Sequence, residues 1–197
     1  MSPPKFTPRR ITGAWRQGFA LDFHTLRSEY AGDDEFGRPR FNTIRSEVGE
    51  LLYKLKYGRD RGAVAPLAEA LVQHLKVWSP PINLIVPVPP TTKRAIPPVM
   101  LLAEALSKHA ELAVADCLTR KRDIPQLKNV TDLDERAALL DGLHAADKTA
   151  TQGKTILLFD DLYRSGATMN AIAAELRDTG LAADLYALTV TRTRSNL

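Results

Sequence analysis

The stretch "TILLFDDLYRSGATMN", Thr155 to Asn170, decides the fold. Four apolar residues, Ile156 to Phe159, run straight into two aspartates, Asp160 and Asp161. Ser165, Gly166, Ala167 and Thr168 follow, and Met169, Ile172, Ala173 and Leu176 then recur at helical spacing. An apolar run, a small-residue turn and an amphipathic pattern read as strand, turn and helix. In an open parallel sheet, ligands sit beyond the carboxyl ends of the strands. The turn would point backbone N–H groups and the positive end of a helix dipole at that place, which suits a phosphate. Gly166 lets the backbone approach closely, and Ser165 and Thr168 can add hydroxyl donors. The aspartates repel a phosphate but accept hydrogen bonds from sugar hydroxyls. A sugar phosphate satisfies both halves. A helix N-cap is the plainer role for such acids; the strand and turn around them favour the ligand.

Working outward, strands and helices alternate. "SEVGELLYKLKYG" carries Val48, Leu51, Leu52 and Leu55 at helical spacing, with Gly58 able to end the helix. Val64, Leu67, Ala68, Leu71, Val72 and Leu75 form one face of a second helix. "NLIVPVPP" reads as a short buried strand ending in prolines, "PVMLLAEALSKH" as a helix, "LAVADCL" as a strand and "ADLYALTVTRT" as the last strand, after a cap at Gly180. "TRKRDIPQLKNVTDLDER" is polar and reads as mostly irregular, and a loop of that length in a compact domain is either disordered or functional. Residues 13–43 alternate weakly and break at "AGDDEFGRP", which suggests a β-hairpin. The expected fold is α/β: a mostly parallel sheet flanked by helices over 46–197, with a small β-containing appendage over 1–45. "MSPPKFTPRR" is expected to be a frayed lead-in.

The chain has 197 residues, 44% hydrophobic and 25% charged, a normal balance for one domain with a sizeable core. No apolar run is long enough to span a membrane, and no secretory leader is visible. The single cysteine, Cys117, excludes an internal disulfide or a cysteine-based zinc site, and a cytoplasmic location fits. A net charge of +4 with pI near 9.3 suits an anionic ligand or a nucleic acid without choosing between them. His24, His74, His109 and His144 show no metal-ligand spacing. Cys117 reads as a core residue, Trp15 and Trp78 as packing anchors, and Lys56 as a charge at a helix C-terminus.

The Asp160–Thr168 segment in its strand–turn–helix setting resembles the phosphoribosyl pyrophosphate (PRPP) motif of the type I phosphoribosyltransferases. "LLYKLKYGRD", "LIVPVPP", "TRKRDIPQLKNV" and "DERAALLDGLHA" are similar to segments of the ComF-like branch. The likeness spans roughly residues 48–195. It departs at three places. No four-cysteine zinc module can form, "KRAIPPV" keeps only Arg94 of the branch's Arg-Gly-Phe-Asn-Gln segment, and "RSG" replaces the usual Thr-Thr-Gly turn.

The resemblance implies a fold and a set of roles. Asp160 and Asp161 would be catalytic, holding the ribose hydroxyls and favouring positive charge on the ring. Arg164, Ser165, Gly166, Ala167 and Thr168 would bind the 5′-phosphate. Val88, Pro89, Lys93 and Arg94 would bind pyrophosphate, a solvated loop being the alternative for the two cations. Arg120, Lys121, Arg122 and Gln126 would belong to a flexible loop, mobile from Arg120 to Asp132 without ligand, that closes over the site. Mg²⁺ would come with PRPP, with no direct protein ligand. The implied partners are PRPP and a nucleobase or other acceptor; a homodimer and nucleic-acid contact stay open, as does a PRPP-binding regulatory or DNA-uptake role with little transfer chemistry. A response-regulator receiver also has acids after a strand, but only 36 residues follow Asp161, too few for its remaining units.

Overall fold

The computed structural model describes residues 3–90, 97–122, 130 and 132–194, side chains 133, 134, 136 and 137 excepted. The elements begin with β1 (Arg9–Arg10), β2 (Gln17–Phe23), β3 (Thr25–Asp33) and β4 (Pro39–Arg45). Helices α1 (Glu47–Tyr57) and α2 (Val64–Trp78) lead to β5 (Leu84–Pro87), α3 (Pro98–Ala110), β6 (Ala113–Val114) and β7 (Leu118–Arg120). The chain ends with α4 (Leu133–Leu140), β8 (His144–Ala146), α5 (Lys148–Thr151), β9 (Thr155–Tyr163), α6 (Ala167–Asp178) and β10 (Asp184–Arg192).

The central sheet has the order β1-β2-β10-β9-β5-β6 and is parallel except at β1. The expected α/β architecture is present. Successive strand residues point to opposite faces, and β9 shows why both faces need cover. Leu157 and Phe159 pack with α1, α2 and α3, whereas Ile156 and Leu158 pack with Met169, Ile172 and Leu176 of α6. All four β9 side chains are fully buried. The strand therefore reads as a continuous apolar run, as parallel strands covered on both sides do.

Connections leave β5 and β9 in opposite directions. The chain passes from β5 through α3 to β6 on one side, and from β9 through α6 to β10 on the other. The gap between β5 and β9 is thus a topological switch point, where such sheets open a crevice for ligands.

Residues 1–45 divide differently from the expected appendage. Only β3 and β4 stand apart, as a two-stranded antiparallel sheet. β2 is a full member of the central sheet, with Gln17 opposite Tyr186 and Phe23 opposite Arg192 of β10. The lead-in is held from Lys5 onward rather than frayed. Lys5 N–H donates to Glu47 Oε2 (2.8 Å), Thr7 N–H donates to Asp22 Oδ2 (3.0 Å), and Arg9–Arg10 pair with β2. "LAVADCL" is not one strand: Ala113–Val114 pair with β5, and Leu118 begins a separate two-stranded sheet with β8. The end of the polar segment is helical, as α4.

Helix α1 is seated by its first turn. Ser46 caps it, accepting from Gly49 N–H (3.0 Å) and donating to the Phe23 carbonyl (2.6 Å). A Cβ on Gly49 would collide with the His24 carbonyl oxygen. Gly49→Ala should therefore destabilise the fold by about 1–3 kcal/mol, the usual range for overpacking. A melting temperature equal to that of the parent chain would contradict this packing.

Candidate functional site

The crevice between β5 and β9 is an open cleft of ≈ 830 Å³. Its β5 flank carries Pro87, Val88, Pro89, Pro90, Pro98 and Met100, its floor Asp160 and Asp161, and one end the turn from Arg164 to Thr168. The opposite flank carries His24, Lys56, Tyr57 and Thr193.

The acids are not at the end of their own strand. β9 continues to Tyr163 beside β10, with Asp160 opposite Thr189. The neighbour on the other side stops first. Pro87 is the last β5 residue paired with β9, opposite Phe159, and Val88 N–H donates to the Phe159 carbonyl (2.8 Å). Proline has no N–H for a ladder, so the Pro87-Val88-Pro89-Pro90 run ends β5 and opens the crevice beside the acids.

The two carboxylates live in different environments. Asp161 Oδ1 accepts from Lys56 Nζ at 2.7 Å, and the side chains are only 13% and 11% exposed. Lys56 arrives from the last turn of α1, 105 residues away in sequence. It thus does more than offset a helix dipole. Asp160 Oδ1 accepts from the Asp161 backbone N–H (2.7 Å). Burial and the neighbouring Asp161 charge push the Asp160 carboxyl well up, to about 8, outweighing that hydrogen bond and Lys56. Asp160 therefore holds its proton to a higher pH than an ordinary carboxylate.

The turn is built as its residues suggest. Gly166 has φ +79° and caps α6, whose backbone begins at Ala167. Tyr163, buried beneath the turn, donates its hydroxyl to the Thr12 carbonyl (2.8 Å) and meets Trp15 edge-on. Asn170 Oδ1 accepts from Ala14 N–H (2.7 Å). Arg164 and Ser165 are exposed, and Ser165 Oγ lies 3.5 Å from Ala167 N.

Several expected residues converge here: Asp160, Asp161, Arg164–Thr168, Val88 and Pro89 all line the cleft. Lys93, Arg94 and Gln126 lie outside the described residues, as do residues 123–129 and 131 of the expected mobile loop. Arg120, Lys121 and Arg122 do not line the cleft. Arg120 pairs with His144 in the β7–β8 ladder, Lys121 N–H donates to the Leu143 carbonyl, and Arg122 Nη2 donates to the carbonyls of Leu139 and Asp141. Arg122 thus satisfies backbone carbonyls around the end of α4. Cys117 is buried, and burial pushes its thiol up to about 11, which suits a core residue and not a nucleophile.

Sequence reasoning missed His24. It follows β2, its N–H donates to the Arg192 carbonyl, and its Nδ1 lies 3.2 Å from Thr191 Oγ1. Burial first, then the Lys56 and Arg45 charges, hold its pKa down to about 4, so the imidazole is neutral. Nothing in the local sequence marks it; its place depends on β2 pairing with β10.

By sequence, the chain matches no protein-family model and no curated protein. By structure it is similar to glutamine PRPP amidotransferase from B. subtilis, solved with ADP and GMP. That likeness has TM-score 0.50 and 15% identity, over 80% of this chain and 34% of that one. The fold is that of the type I phosphoribosyltransferases. Adenine phosphoribosyltransferase from Saccharomyces cerevisiae is also similar, with TM-score 0.49 and 14% identity over 85% of this chain and 84% of that chain. On this phosphoribosyltransferase fold, the acid pair and the Gly166 turn face the switch-point crevice. Among the described residues, no group of three or more His, Cys, Asp or Glu could hold a metal ion, and no helix is long and apolar enough to cross a membrane.

Proposed function

We propose that this chain is a cytoplasmic phosphoribosyltransferase of the ComF-like type that binds PRPP in the β5–β9 cleft. The observation that carries the reading is the joining, in one crevice, of an acid pair and a glycine-capped helix start. The N–H groups of the α6 turn hold the 5′-phosphate with the help of the helix dipole. Asp161, fixed by Lys56, accepts from a ribose hydroxyl. Asp160, whose carboxyl is pushed up by burial and by the Asp161 charge, can donate to or accept from the other. Val88, Pro89, Lys93 and Arg94 receive the pyrophosphate, the last two lying outside the described residues.

In transfer, a nitrogen lone pair of the acceptor forms the new bond to ribose C1. The C1–O bond breaks, and its electron pair leaves on pyrophosphate. An acceptor nitrogen that carries hydrogen also releases a proton. Positive charge develops on the ring, and the Asp161 carboxylate lies on the floor beneath it. A Mg²⁺ would arrive with PRPP, with no direct protein ligand, and would offset charge on the leaving group.

PRPP with Mg²⁺ should stabilise the protein by about 2.7 kcal/mol at 100 times its dissociation constant. For a chain of this size that is a rise in melting temperature of about 5–11 °C. A melting curve unmoved by millimolar PRPP and Mg²⁺ would sink the reading. The altered "KRAIPPV" segment favours a second reading, in which PRPP is bound as a signal with little transfer. Pyrophosphate release with a panel of acceptors separates the two.

A further inference from the structure

No residue of the β3–β4 ribbon lines the cleft, and the ribbon's side chains do not suit an uncovered surface. Tyr30 is 62% exposed, Phe41 55% and Phe36, at the turn, 73%. Tyr30 and Phe41 stand opposite each other with ring centroids 6.0 Å apart, edge to face. Ser28 Oγ lies 3.1 Å from Thr43 Oγ1 in the next pair on that side. Residues opposite one another share a face, as do alternate residues of a strand. Pro39, Phe41, Thr43 and Arg45 therefore form one face with Ser28 and Tyr30. Helix α1 covers the base of this face, where the Arg45 guanidinium lies 3.8 Å from the Tyr53 ring centre and 3.4 Å from Glu50 Oε2. Farther out, Ser28, Tyr30, Pro39 and Phe41 are all exposed. A lone two-stranded ribbon is marginal in water and gains stability when such a face is packed.

The edges of the ribbon are poor docking places. β3 is interrupted by register shifts between Thr25 and Arg27 and between Tyr30 and Asp33, and β4 opens on Pro39, which has no N–H. Strand addition along either edge would be broken, whereas packing on the Tyr30–Phe41 face would not.

The charges select the occupant. Residues 25–45 hold four arginines and four acids. A neutral ribbon has no pull on nucleic acid or on an anionic lipid surface. Three of the acids, Asp33, Asp34 and Glu35, stand together at the turn; Arg27 and Arg45 stand at the other end, with the aromatic pair between them. A two-fold axis through that pair lays the turn of one ribbon over the base of another. The surface is then complementary to itself, as an interface between identical partners must be.

We propose that a second copy of this chain packs on the Tyr30–Phe41 face, with the two ribbons antiparallel about a two-fold axis at that pair. Phe36 then reaches the partner's Tyr53. The nine residues of β3, at about 3.3 Å each, and the width of two strands make a face of about 300 Å². Two such faces alone fall short of the roughly 1,200 Å² buried by the smallest standard interfaces. Each Phe36 buries about 150–250 Å² of its own and covers a like area of the partner, which brings the pair to that lower limit. The dimer is accordingly a weak one.

Sedimentation velocity of the full-length chain tests the pairing. Between about 1 and 100 µM, where an interface of this size dissociates, the species should move from 21.8 kDa toward twice that mass. Tyr30→Ser combined with Phe41→Ser, and separately Phe36→Ser, should each raise the dissociation constant tenfold or more. All three side chains are exposed in the single copy, so melting temperatures measured at the lowest concentration should match that of the parent chain. A monomer at the upper concentration, growth past the dimer, a dissociation constant unchanged in either variant, or a monomer that binds single-stranded DNA through the ribbon would overturn the pairing.

Discussion

Gly166→Val should abolish ribose 5-phosphate binding while the sheet stays folded. Two independent features of the turn require glycine. Its φ of +79° lies in the left-handed region, which costs other residues about 1–2 kcal/mol and branched ones more. A Cβ there would also lie 2.6 Å from the Tyr163 hydroxyl oxygen and 2.8 Å from its ring. Tyr163 cannot swing aside cheaply, because its hydroxyl is bonded to the Thr12 carbonyl and its ring is packed against Trp15. The turn must therefore reshape, and the N–H groups that would face the phosphate move with it. The expected loss is at least about 100-fold, or about 2.7 kcal/mol. Calorimetric titration measures it, and far-UV circular dichroism checks the fold. Arg164→Ala is the contrast. Arg164 is exposed, and backbone donors do not depend on its side chain, so its loss should change ribose 5-phosphate affinity by under about 0.5 kcal/mol. A guanidinium on the phosphate would instead give about 1.5–3 kcal/mol. Unchanged binding by Gly166→Val, or a tenfold loss with Arg164→Ala, means that the phosphate is held elsewhere.

The second large effect separates the two acids. Asp161→Asn leaves the Lys56 ammonium, nearly buried, without its carboxylate. Breaking one side of such a pair costs about 3–5 kcal/mol, and the lower end is expected here because both side chains keep some contact with water. Asp160→Asn should do the reverse. The carboxyl of Asp160 is raised, by burial and by Asp161, from the ordinary carboxylate value to about 8. Between about pH 4 and 8 the folded state therefore holds a proton that the unfolded chain gives up. Stability drawn from that site is present at low pH and is lost as pH rises. Asn removes the titration, so the variant should gain on the parent chain as pH rises through that window and match it near pH 4. Both variants should bind PRPP less well. Chemical denaturation across the pH range reads the stability effects. Parallel curves for Asp160→Asn and the parent, or an Asp161→Asn variant as stable as the parent, would show that the environments have been assigned wrongly.

How much of this was legible in the sequence depends on how local each feature is. β9, its turn and α6 are contiguous, and their signals are the apolar run, a glycine and a helical period, so they stand in the structure as read. The end of β5 was legible for the same reason, since prolines forbid further pairing. The acid pair was placed at a strand end, yet β9 runs on to Tyr163; the break belongs to β5, and a single strand's sequence cannot show where its neighbour stops. β2 was missed as a sheet member because "GFALDF" mixes core residues with the buried Asp22, which is kept for the backbone of Thr7 and Phe23. The Lys56–Asp161 pair and the place of His24 exist only after α1 and β2 dock, across separations that no periodicity records. Arg122 looked like part of a basic lid; the carbonyls at the end of α4 account for it.

The pairing of β2 with β10 has a kinetic consequence. Gln17 must wait for Tyr186, and the wall containing His24 forms only when the ends of the chain meet. Contacts of such long range slow folding. On a ribosome the first long strand would emerge early and stay without its parallel neighbour until almost the whole chain had been made. The Gly166 turn, through Tyr163 and Asn170, is tied to the same N-terminal segment. The half of the cleft read most easily from sequence can assemble locally, while the flank carrying His24 is the last part of the molecule to exist.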